Sequence, residues 1–191
     1  GGLTTGWISI HPGSAATPAW SSIATIPFTF SFNGTPVTQY KVSTSGVLTF
    51  TTGAVTVPAY GAVALPSSNV PDNSICVLGV RGTGINDNIV TKVFGSAPNR
   101  QLWVFFSSYS TTVVNAWTYW SIVLEETSNN IYIVDQRHSG AMSVSAGVQI
   151  NSTSAVSVFG SPALGATATT DFTPSDNSYY QFVQGTQAAS Q

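Results

Sequence analysis

What most limits how this chain can fold is the spacing of its apolar residues, which repeats at every second position in short runs and almost nowhere at every third or fourth. Side chains alternate across a strand with a period of two, whereas an amphipathic helix needs apolar residues at i, i+3, i+4 and i+7. In "IPFTFSF" the rings of Phe28, Phe30 and Phe32 share one face, with Thr29 and Ser31 on the other. Asn33-Gly34 follows, a pair that accepts the positive φ of a tight hairpin turn. Pro36, which has no N–H to give, limits regular pairing just beyond it. "YKVSTSGVLTF" and "AVTVPAYGAVALP" read as further strands, punctuated by Gly46, Gly53, Pro58 and Pro66.

"RQLWVFFSS" is apolar on both faces, Leu102, Val104 and Phe106 opposite Trp103 and Phe105, which predicts a mid-sheet strand covered on both sides. "WTYWSIVLEETSNNIYIVD" predicts a hairpin: Trp120, Ile122 and Leu124 face one way, Ser128-Asn129-Asn130 turn the chain, and Ile131 to Val134 return. "SVSAGVQI" and "AVSVF" repeat the pattern. Gly160 to Ser178 is low in complexity and reads as a surface connection. The final element, "YYQFVQG", either closes its own sheet, the commoner arrangement, or pairs with another molecule's edge. The fold class expected is all-β, an antiparallel two-sheet β-sandwich, jelly-roll-like. Its 191 residues suit one domain, 1–191, with 1–25 and 160–191 as peripheral terminal segments.

Charged residues make up 6% of the chain, against about 25% in an ordinary soluble domain. With 26 Ser and 24 Thr in their place, the expected surface is neutral and hydroxylated, with little charge repulsion between molecules. The net charge of −2 and the scattered Lys41, Arg81, Lys92, Arg100 and Arg137 argue against nucleic acid, which needs clustered cations. Cys76 is the only cysteine and lies in the apolar "SICVLGV", so it reads as a buried thiol. No run reaches the roughly 20 apolar residues of a membrane-spanning helix. A start at "GGLTTGWISI" is expected of a mature chain whose leader is gone, or of a piece of a larger protein.

Catalytic candidates are few. His11 stands beside Pro12, and His138 follows "DQR" at a strand end. Asp135, His138 and a serine could formally make a triad, but no G-x-S-x-G elbow accompanies them. Glu125 and Glu126 are consecutive on a strand and point to opposite faces, so they cannot act as a glycosidase pair with each other. They read as the charged end of a strand entering a turn. One Cys and two distant His argue against zinc. Asp72-Asn73, Asp87-Asn88 and Asp176-Asn177 are turn-like pairs of the kind that bind calcium or simply stabilise turns. "RGTGINDN" has no following helix or P-loop lysine. Asn33-Gly34-Thr35 and Asn151-Ser152-Thr153 fit the N-glycosylation pattern. Catalytic residues, resident metal and cofactor are therefore all expected to be none.

Aromatic rings are the remaining chemical resource. If Trp120, Ile122 and Leu124 face the core, Trp117 and Tyr119 face out on the same strand, and two outward rings could form a ligand-binding platform for sugars. A covering loop or a neighbouring subunit is the commoner reason for such rings.

Several stretches, in order, resemble a β-sandwich module of large secreted or surface-anchored bacterial proteins, similar to nidogen-like extracellular domains. They are "IPFTFSFNGTPVTQYKVSTSGVLTF", "LPSSNVPDNSI", "VFGSAPNRQLWVFF", "WSIVLEETSNNIYIV" and "AGVQINST", within residues 26 to 155. The Ala-Pro-Asn-Arg lead into the central strand is the most specific piece. Ser45 stands where the family usually has Asn before Gly46, and "LGVRGTG" replaces its Trp-Asp-Asp segment, so no role of those acids transfers. The resemblance implies an exported, noncatalytic adhesive or structural module located outside the cell or on its surface. The leading expectation is such a module, packing against copies of itself or neighbouring surface domains in a filament or layer. The alternative is a carbohydrate-binding module with glycan partners. No nucleic acid and no transmembrane segment are expected.

Overall fold

The computed structural model describes residues 3–12, 14–82, 87–111, 117–138, 142–164 and 178–185, and no helix occurs among them. Period-two patterning becomes two six-stranded layers. The first runs in the order β2 (Ala24–Phe32), β3 (Thr35–Val42), β4 (Val47–Thr49), β5 (Ser74–Leu78), β11 (Ser145–Asn151) and β12 (Ser154–Ser157). The second runs β1 (Ile8–His11), β7 (Asn88–Phe94), β8 (Gln101–Thr111), β9 (Trp117–Glu125), β10 (Ile131–His138) and β13 (Ser178–Phe182). Every neighbouring pair within a layer is antiparallel. The short β6 (Val80–Arg81) joins the layers, parallel to β5 at one residue and antiparallel to the far end of β8. The final strand closes its own sheet, pairing with β10 from Ile131↔Phe182 to Asp135↔Ser178.

The strand faces follow the sequence closely. In β2 the even positions from Ile26 to Phe32 are buried, whereas Thr25, Pro27 and Thr29 are exposed. The tight turn sits at Asn33 (φ 49°) and Gly34 (φ 75°). Pairing of β2 with β3 is irregular between Thr25 and Phe30, and β2 is an edge strand, where Pro27 leaves no ladder bond unmade. Between the layers lies the core, with Phe30, Tyr40, Leu48 and Ile75 of the first facing Val104, Phe106, Trp120, Ile122 and Ile131 of the second. Each such side chain contributes about 1.5–3 kcal/mol on burial.

"AVTVPAYGAVALP" departs from expectation: no strand forms between Thr49 and Ser74. That segment crosses the outer face of β4, β5 and β11 as an irregular strap, bringing Val63, Leu65 and Val70 onto Val47, Cys76 and Leu78. Strap backbone polar groups are satisfied by side chains of the layer beneath instead of by a ladder. Ser45 Oγ donates to Pro58 O (2.8 Å), and Ser145 Oγ accepts from Val63 N (2.7 Å) while donating to Val63 O. Gln149 accepts from Ser67 N (2.8 Å) and donates to Ser67 O and Val70 O (2.9 Å each). Lys41 Nζ donates to Gly53 O (2.7 Å) with the Trp20 ring 4.8 Å away, and Trp20 Nε1 donates to Val55 O (3.0 Å). A few of the hydroxyls expected on the surface are internal: Ser43, Thr44, Ser45, Thr49, Ser74 and Ser145 are all fully buried.

Two predictions follow from the strap. Gln149→Leu leaves the buried Val70 carbonyl and the part-buried Ser67 N–H and carbonyl without their partner, and equilibrium urea unfolding should show a loss of about 2 kcal/mol, because an unmade buried bond costs about 1–3 kcal/mol. Cys76 lies fully buried beneath the strap, and burial pushes its thiol from 9.0 up to about 12. Between those values the folded chain holds a proton that the unfolded chain releases. Stability is thus fully present below pH 9 and lost as pH rises toward 12, by at most about 1.4 kcal/mol per pH unit. Melting temperatures of Cys76→Ala should fall less steeply over that window than those of the parent; parallel curves would refute the assignment.

Candidate functional site

The outer face of the second layer is treated differently from that of the first. In β8, Leu102, Val104 and Phe106 are buried in the core, which turns Trp103 and Phe105 outward. In β9, Trp120, Ile122 and Leu124 point inward at 0% exposure, which turns Tyr119 outward. Phe94 lies at the end of β7 with 40% of its surface open. The amino-terminal segment completes the arrangement. Lys92 Nζ donates to Thr5 O (2.7 Å), Gly6 turns with φ +90° beside the Lys92 side chain, and Trp7 is laid over the sheet.

The resulting aromatic stripe has touching members. Trp7 lies 5.7 Å from Phe94 and 5.6 Å from Phe105, Phe94 lies 5.9 Å from Trp103, and Phe105 stacks on Tyr119 at 6.1 Å. Such spacings lie within the range of favourable ring pairs. A cation stands at each end: Lys92 Nζ is 4.9 Å from the Phe94 centroid, and Arg137 Cζ is 5.9 Å from that of Tyr119. Trp103 Nε1 donates to Gln101 Oε1 (3.1 Å), which fixes its ring, and Gln101 Nε2 donates to Glu125 Oε2 (2.7 Å).

Tyr119 is thus brought into a ring cluster. Trp117 opens β9 opposite Ser110, and its side chain lies outside the described residues. Trp7, Phe94, Trp103 and Phe105 are the stripe members that the sequence reading missed. Trp103 and Phe105 read as covered mid-sheet residues; Phe105, beneath Trp7, is buried as expected, whereas Trp103 is only partly buried. The recoverable signal was Trp-x-Phe on the strand face opposite Leu102, Val104 and Phe106.

The other candidates sort as follows. Asp135 pairs with Trp120 across the ladder and is buried on the core side, and His138 ends β10 opposite Thr118, with its side chain outside the described residues. His11 is in β1, where burial pushes its pKa down. Glu125 and Glu126 are turn acids, as expected. Burial pushes Glu125 up, but hydrogen bonds from Ser128, Gln101, Tyr132 and Asn130 outweigh it and hold the carboxyl below its ordinary value. Glu126 is held low by Arg100, which binds it through Nε (2.8 Å) and Nη2 (2.7 Å). Arg100 in turn lies 5.5 Å from the Phe28 ring, tying the hairpin turn of the second layer to an edge of the first.

Asp72 accepts the Thr51 hydroxyl through its carbonyl (2.8 Å) and Asn73 adopts φ 55°, both as turn residues. Asn88 Oδ1 accepts from Ser9 Oγ (2.7 Å), and Asp176-Asn177 lies outside the described residues. Among the described residues no three His, Cys, Asp or Glu side chains cluster to hold a metal ion. A groove of about 910 Å³ opens along the strap, walled mainly by small side chains between Thr51 and Val63 and between Ser68 and Asp72.

A family model described as NIDO related (nidogen related) matches residues 9–184. No curated protein and no solved structure matches the chain.

Proposed function

The chain belongs to the nidogen-related family, and from that premise we propose that it is a noncatalytic structural or adhesive module acting outside the cell or at its surface. The observation that carries this reading is where the charge goes. Lys41 is buried against strap carbonyls, Arg100 and Glu126 clamp a turn, and Glu125 is held by four neighbours. Groups of that kind hold the fold instead of waiting for a substrate. No described helix is long and apolar enough to cross a membrane.

Contacts with copies or with neighbouring domains are favoured at the outer edge of β12, with which no further strand pairs among the described residues and where Val156 is 60% exposed and Phe159 fully so. Edge strands are commonly blunted by charge or proline, and "SAVSVF" has neither. Light scattering over a concentration series should show reversible association that Phe159→Ser weakens. A strict monomer at every concentration would remove the self-assembling filament or layer from the proposal.

A second reading, a carbohydrate-binding module, is favoured by the aromatic stripe, because adjoining rings give the flat apolar support that the C–H faces of sugars need. Tyr119 is its described member from the expected pair. Titration with a panel of neutral and charged polysaccharides should change the tryptophan emission through Trp7 and Trp103; an unchanged spectrum with the whole panel would discard this reading.

A further inference from the structure

We propose that the stripe takes a carboxylate-bearing polysaccharide, the rings supporting its sugar faces while Lys92 and Arg137 meet its acid groups. The inference rests on the carbohydrate-binding reading and adds the class of glycan.

Shape is the first argument. Lys92 is level with Trp103, Trp103 with Val123, and Val123 with Tyr132, whereas Arg137 is level with Tyr119, four residues back along β9. Three strand spacings of about 4.8 Å and four residues of about 3.4 Å place the two cations roughly 20 Å apart. The rings run diagonally between them. A stripe of that length suits a linear chain of sugars better than a single ring.

Charge is the second. The chain has five Lys and Arg in all, and the whole carries −2. Two of the five, Lys92 and Arg137, bracket this one stripe. Glu125 lies on the same face opposite Gln101, but its oxygens are engaged by Gln101, Ser128 and Tyr132. With the charge of Glu125 counted, two cations face one acid here, whereas the molecule as a whole carries −2. A neutral glycan laid there could offer the ammonium only hydroxyl oxygens, whereas a carboxylate would give a charge-assisted hydrogen bond about twice as strong.

Donor geometry is the third. Lys92 spends one N–H on Thr5 O, and an ammonium has three. Its position over Phe94 lets one ligand touch the ring and the charge together. The same holds for Arg137 over Tyr119, where a guanidinium fork matches a carboxylate.

The test uses oligogalacturonate, alginate and hyaluronan fragments, each beside its carboxyl-reduced counterpart, titrated against the whole chain by calorimetry. At least one acidic polymer should bind, with its reduced form about tenfold weaker, equivalent to about 1.4 kcal/mol, and with affinity falling as salt is raised. Lys92→Gln/Arg137→Gln should remove that preference, and Phe94→Ala, at a ring already 40% exposed, should weaken both forms alike; circular dichroism checks that each variant is folded. Equal binding of acidic and reduced polymers, or an unaltered preference in the double variant, would overturn the acidic assignment while leaving a carbohydrate module standing. Binding of no polymer, charged or neutral, would overturn both.

Discussion

A backbone N–H or carbonyl taken out of water must find a partner, and much of this fold depends on how that requirement is met away from the ladders. The strap between Thr49 and Ser74 covers apolar side chains on the outer face of β4, β5 and β11, yet it forms no strand of its own. Ser45, Ser145, Gln149 and Lys41 supply what a neighbouring strand would otherwise give. A chain rich in Ser and Thr and poor in charge is suited to this. Hydroxyls both donate and accept, and they cost far less to bury than an ion.

The same device operates at an edge. Ser31 of β2 donates its N–H to Asn129 Oδ1 (2.8 Å) and its carbonyl accepts from Gln184 Nε2 (2.6 Å). Those amides come from the β9–β10 turn and from the segment after β13, both belonging to the opposite layer. They blunt one edge of the first layer and tie the two layers together. At the other edge, β12 leaves Val156 and Phe159 open. The two edges of the first layer are thus finished differently, one tied to the opposite layer and the other with exposed apolar side chains.

The two outer faces differ as well. One is covered by the strap; on the other Trp7 lies over the buried Phe105, while Phe94 stays 40% exposed. The grouping of these rings between two of the chain's few cations makes this face the chemically distinctive part of the molecule.

The sequence alone determined the fold class, because alternation has a direct physical meaning: the inward sets of β2, β8 and β9 are those that period two selects, and Asn33-Gly34 marks its turn. It also determined the separation of Glu125 from Glu126 and the direction of Tyr119. Tertiary structure decided the rest. "AVTVPAYGAVALP" looks like a strand because burial on one side imposes the same alternation on a strap, and the difference lies in bonding partners up to 82 residues away, Ser145 and Gln149. The stripe was equally out of reach: its rings come from the segment before β1 and from β7, β8 and β9, and contacts between such distant stretches are set by the register of strands, which no local pattern encodes.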